Sequence, residues 1–177
     1  MKLKSLAMAM VHTILEDRSF DAEYIKEQSD LPFLVRSDNF KYLRETDFSI
    51  PEARDNLFYV WDETTDTLVE APGTGLPPAT PGTPEHLIQM PSIELGAVNP
   101  AIEGEWIVEG KDGPIKVTTV FELTKQRAAQ HTPEMAQEIT GIHADIIRQV
   151  ARKFARAKPS MIYAGYRASK YLHGDLL

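Results

Sequence analysis

The residues best placed to do chemistry stand near the C-terminal end. Ser160-Met161-Ile162-Tyr163-Ala164 is an apolar run that reads as a buried strand, and Gly165 follows it. In an open α/β sheet, ligands settle beyond the carboxyl ends of strands, where backbone donors and the next helix start converge. Gly165 lets the backbone approach a ligand closely. Arg167, Lys170 and His173 then supply donors, with Tyr166 and Tyr171 as aromatic planes among them. Such a set suits a phosphate-bearing heterocycle. A frayed terminal loop is the plainer reading of the same residues.

Other patterns fall short of a site. Gly104 and Gly110-Lys111 imitate a phosphate loop, but five residues part the glycines where four are required. Asp112 also stands where Ser or Thr would meet magnesium, so a hairpin turn is expected. Gly73 and Gly75 open a dinucleotide fingerprint whose third glycine is replaced by Pro78. His12, His86, His131, His143 and His173 lack metal-ligand spacing. The chain has no cysteine, which excludes a disulfide scaffold, a thiolate zinc site, iron–sulfur ligands and a cysteine nucleophile.

Residues 132–157 look like a helix-turn-helix with a basic second helix, through Arg148, Arg152, Lys153 and Arg156. Gly141, however, follows Ala136 by five residues where that turn places glycine four after the small residue. The second helix also runs into an apolar strand, so its Ile146, Ile147, Val150 and Phe154 face is expected to cover a sheet. A solvated basic face is the preferred reading, with no nucleic-acid partner. The formal charge of −7 agrees, since a general nucleic-acid binder is usually basic. The charge is uneven. Residues 1–114 hold 9 Lys and Arg against 21 Asp and Glu, a net of −12, and residues 115–177 hold 10 against 5, a net of +5. The basic third suits an anionic partner.

The elements that must position these residues follow from periodicity and punctuation. The 177 residues, 42% hydrophobic and 25% charged, suffice for one globular domain. No apolar run reaches the roughly 18 residues of a membrane span, and none is followed by an export cleavage site. Leu3–Asp17 predicts a helix, and Ser19 or Asp21 can cap a second. Short strands are expected at Phe33–Val35 and Lys41–Leu43. Leu57–Trp61 with Thr67–Val69, and Trp106–Val108 with Ile115–Val120, read as hairpins. Seven of the twelve prolines fall in residues 71–100, a long loop of the kind that covers a site or packs on a partner. Thr132-Pro133-Glu134 starts a helix that Gly141 stops, and a longer helix spans His143–Ala157. The expected fold is α/β: a small mixed sheet including Met161–Ala164, covered by the Leu3–Asp17 and His143–Ala157 helices, with the hairpins beside it.

Three runs carry a family resemblance: TPE at Thr132–Glu134, EITGI at Glu138–Ile142 and IIRQVARKFA at Ile146–Ala155, followed by KPSMIYAGYRASKYLHGD at Lys158–Asp175. With LAMAMVHTILEDRSFDAEYIKEQSDLPFLVR near the start and YLRETDF at Tyr42–Phe48, they resemble the catalytic subunits of the molybdopterin oxidoreductases. The likeness is to the branch of nitrate, selenate, chlorate and perchlorate reductases and of dimethyl sulfide and ethylbenzene dehydrogenases. Residues 49–114 match only loosely.

The resemblance implies a molybdenum-dependent subunit that binds a bis-guanine-dinucleotide molybdopterin and moves an oxygen atom and two electrons. It implies that residues 1–177 form one incomplete domain, an internal fragment that is inactive alone. The iron–sulfur ligand cluster and a molybdenum-ligating aspartate would lie upstream, and a glycine-rich segment downstream. No residue here is proposed as catalytic or as a metal ligand. By resemblance Ala164, Gly165, Tyr166, Arg167, Lys170 and His173 line the groove for one half of the pterin dinucleotide. The implied partners are the remainder of the catalytic subunit and an iron–sulfur beta subunit, in a periplasmic or membrane-associated complex. Uncovered apolar surface is then expected on 71–100 and around Tyr163–Leu177. A non-catalytic scaffold is the alternative.

Overall fold

The computed structural model describes residues 2–76, 94–158 and 160–161. Its elements in chain order are α1 (Lys2–Glu16), α2 (Ala22–Gln28), β1 (Leu34–Arg36), a 3-10 turn (Glu45–Asp47), β2 (Tyr59–Asp62) and β3 (Thr67–Glu70). After these come β4 (Glu105–Gly110), β5 (Gly113–Thr119), α3 (Val120–Ala129), α4 (Pro133–Thr140) and α5 (Ala144–Arg156). The chain is mixed α/β, as expected. It divides into two compact units, one of Asp21–Thr124 and one of the described residues in Met1–Phe20 and Lys125–Leu177.

The first unit is built on β-structure. β1, β5 and β4 form an antiparallel sheet in that order, with Leu34 opposite Thr119 and Glu105 opposite Thr118. β2 and β3 form a separate antiparallel hairpin. Alternation explains the larger sheet: Ile115 and Val117 point inward while Lys116 between them reaches Glu105 across the ladder at 2.7 Å. Those inward residues join Leu34, Leu43, Leu57, Tyr59 and Val108 in the core, against which Phe48, Trp61, Leu68 and Trp106 pack. Trp106 stacks on Trp61 at 5.0 Å. The indole leaves no room for a side chain at Gly104, whose φ is +140°.

The second unit is helical. In α1, Leu6, Ala9, Met10 and Thr13 recur at i, i+3, i+4 and i+7, and this stripe packs on α4 and α5. Thr132 caps α4, accepting from the Met135 amide at 3.3 Å, Pro133 holds the first position, and Gly141 ends it at φ +79°. Ala144, Ile147 and Ala151 form the buried stripe of α5.

Several expectations need correcting. Both sheets are antiparallel among the described residues, not mixed. Lys41–Leu43 forms no strand: Tyr42 and Arg44 make single bridges to Val35 and Phe58. The buried stripe of α5 meets helices rather than a sheet, and Ile146 and Val150 of the expected sheet-covering face are exposed. Of the expected strand Met161–Ala164 only Met161 is described, and it is 84% exposed and irregular; the rest lies outside the described residues. A helix also begins where the β5 strand was expected to continue, because Thr119 Oγ1 accepts the Glu122 amide at 3.1 Å and turns the chain at Val120.

Candidate functional site

Ala164, Gly165, Tyr166, Arg167, Lys170 and His173, the six residues assigned to the cofactor groove, lie outside the described residues. The described chain leads toward them through α5. His143 caps its start, its Nδ1 accepting from the Asp145 amide at 3.3 Å. At the other end the Ala157 amide bonds back to Lys153 and Phe154, three residues before the end of the following Lys158-Pro159-Ser160 run.

The basic residues of α5 do two jobs. Arg148 pairs with Glu134 of α4 and, at 3.5 Å, with Asp145. Arg152 grips Asp17 in a forked contact, 2.7 Å from Nε and 3.2 Å from Nη2. Each arginine holds its acid below the ordinary carboxylate range, chiefly through the hydrogen bond itself. These two arginines therefore tie α5 to α4 and to the end of α1. Lys153 and Arg156 sit in the last turn, where cations favour the helix dipole. With Gln149, Arg152 and Ala157 they line an open depression on the helix end.

In the β-rich unit the charged groups are likewise engaged in structure. Glu45 is buried and accepts three donors from Arg54: the backbone amide at 2.6 Å, Nε at 2.9 Å and Nη2 at 2.7 Å. The guanidinium pulls the Glu45 carboxyl down to about 2. Asp62 accepts from the Asn99 amide at 2.9 Å and from Thr65 Oγ1 at 2.7 Å, and these donors hold its carboxyl low. Asp62 thereby fastens the return of the Pro-rich segment to the end of β2. The Tyr42 hydroxyl donates a hydrogen bond to Asp30 at 2.5 Å, and this bond to a carboxylate pushes the phenol up to about 12.

The motifs set aside in the sequence are structural here. Gly110, Lys111 and Gly113 form the β4–β5 turn, and Lys111 Nζ donates to the Thr46 carbonyl at 2.8 Å. His12 is half-buried, with Nδ1 3.2 Å from the Ala128 carbonyl. Among the described residues no three His, Asp or Glu side chains gather where a metal ion could be held. No described helix is long and apolar enough to cross a membrane.

No family model matches the chain. Similarity to individual proteins is extensive. The chain is 40% identical over 169 residues to the chlorate reductase alpha subunit of Ideonella dechloratans, covering 96% of this chain and 17% of that protein. It is 39% identical over 183 residues to the perchlorate reductase alpha subunit of Dechloromonas aromatica, covering 98% and 20%. With the dimethylsulfide dehydrogenase alpha subunit of Rhodovulum sulfidophilum it shares 40% over 169 residues, covering 96% and 17%. The chain thus spans a fifth or less of the length of these relatives, and the likeness runs through residues 49–114 as well as the two ends. On this identity, carried along almost its whole length, the chain belongs to the DMSO reductase family of molybdopterin oxidoreductases, matching one stretch of their alpha subunits.

Proposed function

We propose that this chain serves within a molybdenum-dependent, nitrate reductase-like catalytic subunit, where it supplies part of the groove for a molybdopterin guanine dinucleotide. The observation that carries the reading is the 39–40% identity to three such alpha subunits over 96–98% of the chain. In this reading Gly165 admits the ligand, and the backbone amides of Ala164–Tyr166 meet its oxygens. Arg167 or Lys170 balances the pyrophosphate charge, with His173 as a further donor. The bound cofactor supplies oxygen-atom and two-electron transfer, and its metal ligand comes from outside these residues. The chain is then one part of a larger domain and inactive by itself. It works with an iron–sulfur beta subunit in a periplasmic or membrane-associated complex.

The arginine pairs disfavour the DNA-binding alternative. Arg148 and Arg152 are held by Glu134 and Asp17, so reading a duplex would first require breaking contacts that assemble the helical unit. The test of the cofactor site uses a complete relative, with Arg167→Ala, Lys170→Ala and His173→Ala made at the matching positions. Reduced molybdenum and pterin content in the purified variants is expected. Unchanged content in all three removes these residues from the cofactor site.

A further inference from the structure

The fully buried interior of the helical unit is lined mainly by small residues, with Leu6 and Met10 half-buried against it. Ala9, Ala128, Ala136, Ala144 and Ala151 are all buried, and Ile147 is the one large aliphatic side chain among the fully buried described residues there. Met135 and Ile139, four apart on α4, are 44% and 37% exposed. Ile146 and Val150, four apart on α5, are 52% and 47% exposed, and Ile142 between the helices is also open. The spacing gives α4 and α5 each a second apolar ridge, turned away from the alanine-lined one. A helix apolar on two sides belongs between two layers.

We infer that the outer ridges of α4 and α5 are a docking surface for the rest of the catalytic subunit. This rests on the reading of the chain as part of such a subunit. The occupant follows from length: relatives that match 96–98% of this chain are five to six times longer, so most of the polypeptide that could form a second layer lies outside these residues. The ridge is also not a rim feature. Arg148 and Arg152, which flank the inner stripe, are engaged within the unit, leaving Ile146 and Val150 to meet whatever comes next.

The absence of cysteine from the chain makes the surface directly readable. Ile146→Cys and Val150→Cys are prepared singly, both in this chain alone and in a chimera. In the chimera this chain replaces the matched stretch of the Ideonella dechloratans chlorate reductase alpha subunit. Maleimide labelling is followed by mass spectrometry of the peptides carrying positions 146 and 150. Fast labelling in the isolated chain is expected, with at least tenfold slower labelling at both positions in the folded chimera. A folded, cofactor-loaded chimera in which both positions label as fast as in the isolated chain overturns the docking surface and leaves the family reading intact. A chimera that neither folds nor takes up molybdenum overturns both. Protection in the isolated chain that grows with its own concentration assigns the ridge to a second copy and also overturns the inference.

Discussion

Glu45 shows how one side chain can join several elements. Its carboxylate receives the backbone and side chain of Arg54, and that guanidinium reaches on to Glu70 of β3 at 3.2 Å. Because Arg54 pulls the Glu45 carboxyl from 4.5 to about 2, the folded state binds the proton less readily than the unfolded one. Its contribution to stability is therefore present above about pH 4.5 and is lost as the pH falls toward 2. Glu45→Gln should unfold at lower urea than the parent at pH 7, with the gap closing as the medium is acidified through that window. A gap that stays constant with pH would show that the carboxylate's charge contributes nothing. A different residue, Ile147, tests the helical core. Ile147→Ala removes the large buried chain among alanines and should cost about 2–5 kcal/mol, read from the shift of the urea midpoint at constant slope. No residue-level pattern announced the Glu45–Arg54 pair, because the partners stand nine residues apart along a mostly irregular stretch and only the fold brings them together.

At the scale of elements, punctuation decided what could be read. Asp21 caps α2, accepting from the Tyr24 amide at 3.1 Å, and Thr132, Pro133 and Gly141 bound α4 where their types place them. Such signals are local, so they survive any tertiary context. Helix α3 carries the same kind of signal in Thr119 and Glu122, the Thr-x-x-Glu spacing of a capped start. It was masked by the β-branched run Val117-Thr118-Thr119-Val120, which favours a strand until the cap takes hold. The faces of α5 were harder to assign, because alanine is apolar enough to line a core yet too small to dominate a periodicity. Ile146 and Val150 outweigh Ala144 and Ala151 in the periodicity, so of the expected face Ile147 is buried while Ile146 and Val150 stand open. The groove residues were legible only through resemblance, since Arg167, Lys170 and His173 follow no spacing that a loop could not also show. Caps make quantitative expectations. Thr132→Ala should cost about 1 kcal/mol of stability. Gly141→Ala meets open space but must hold φ +79°, a left-handed conformation that costs a side-chain-bearing residue about 1–2 kcal/mol. If denaturant melts show Gly141→Ala to be neutral, the left-handed end of α4 is not required.

For the whole molecule, the two units draw on different sources of stability. The β-rich unit buries leucines, isoleucine, valines and a tyrosine in one cluster, with the two tryptophans against it. At about 25 cal/mol per Å² of apolar area, such side chains dominate what holds a domain together. The helical unit has an alanine-lined interior that removes far less apolar area from water. It also joins α1 to α4 and α5, elements more than a hundred residues apart, so it bears the entropy of closing a long loop. Arg152–Asp17 and Arg148–Glu134 are exposed ion pairs, of the class that contributes only modestly. Native-state hydrogen exchange on the full chain should therefore rank the amides. Those of the β4–β5 ladder, such as Val117 and Val108, should exchange slowest, while α1, α4 and α5 open together and earlier, by sub-global unfolding rather than fraying. Added salt should widen the difference by screening the two arginine pairs. Slower exchange in α1, α4 and α5 than in the β4–β5 ladder would mean that the alanine interface holds more firmly than its buried area allows.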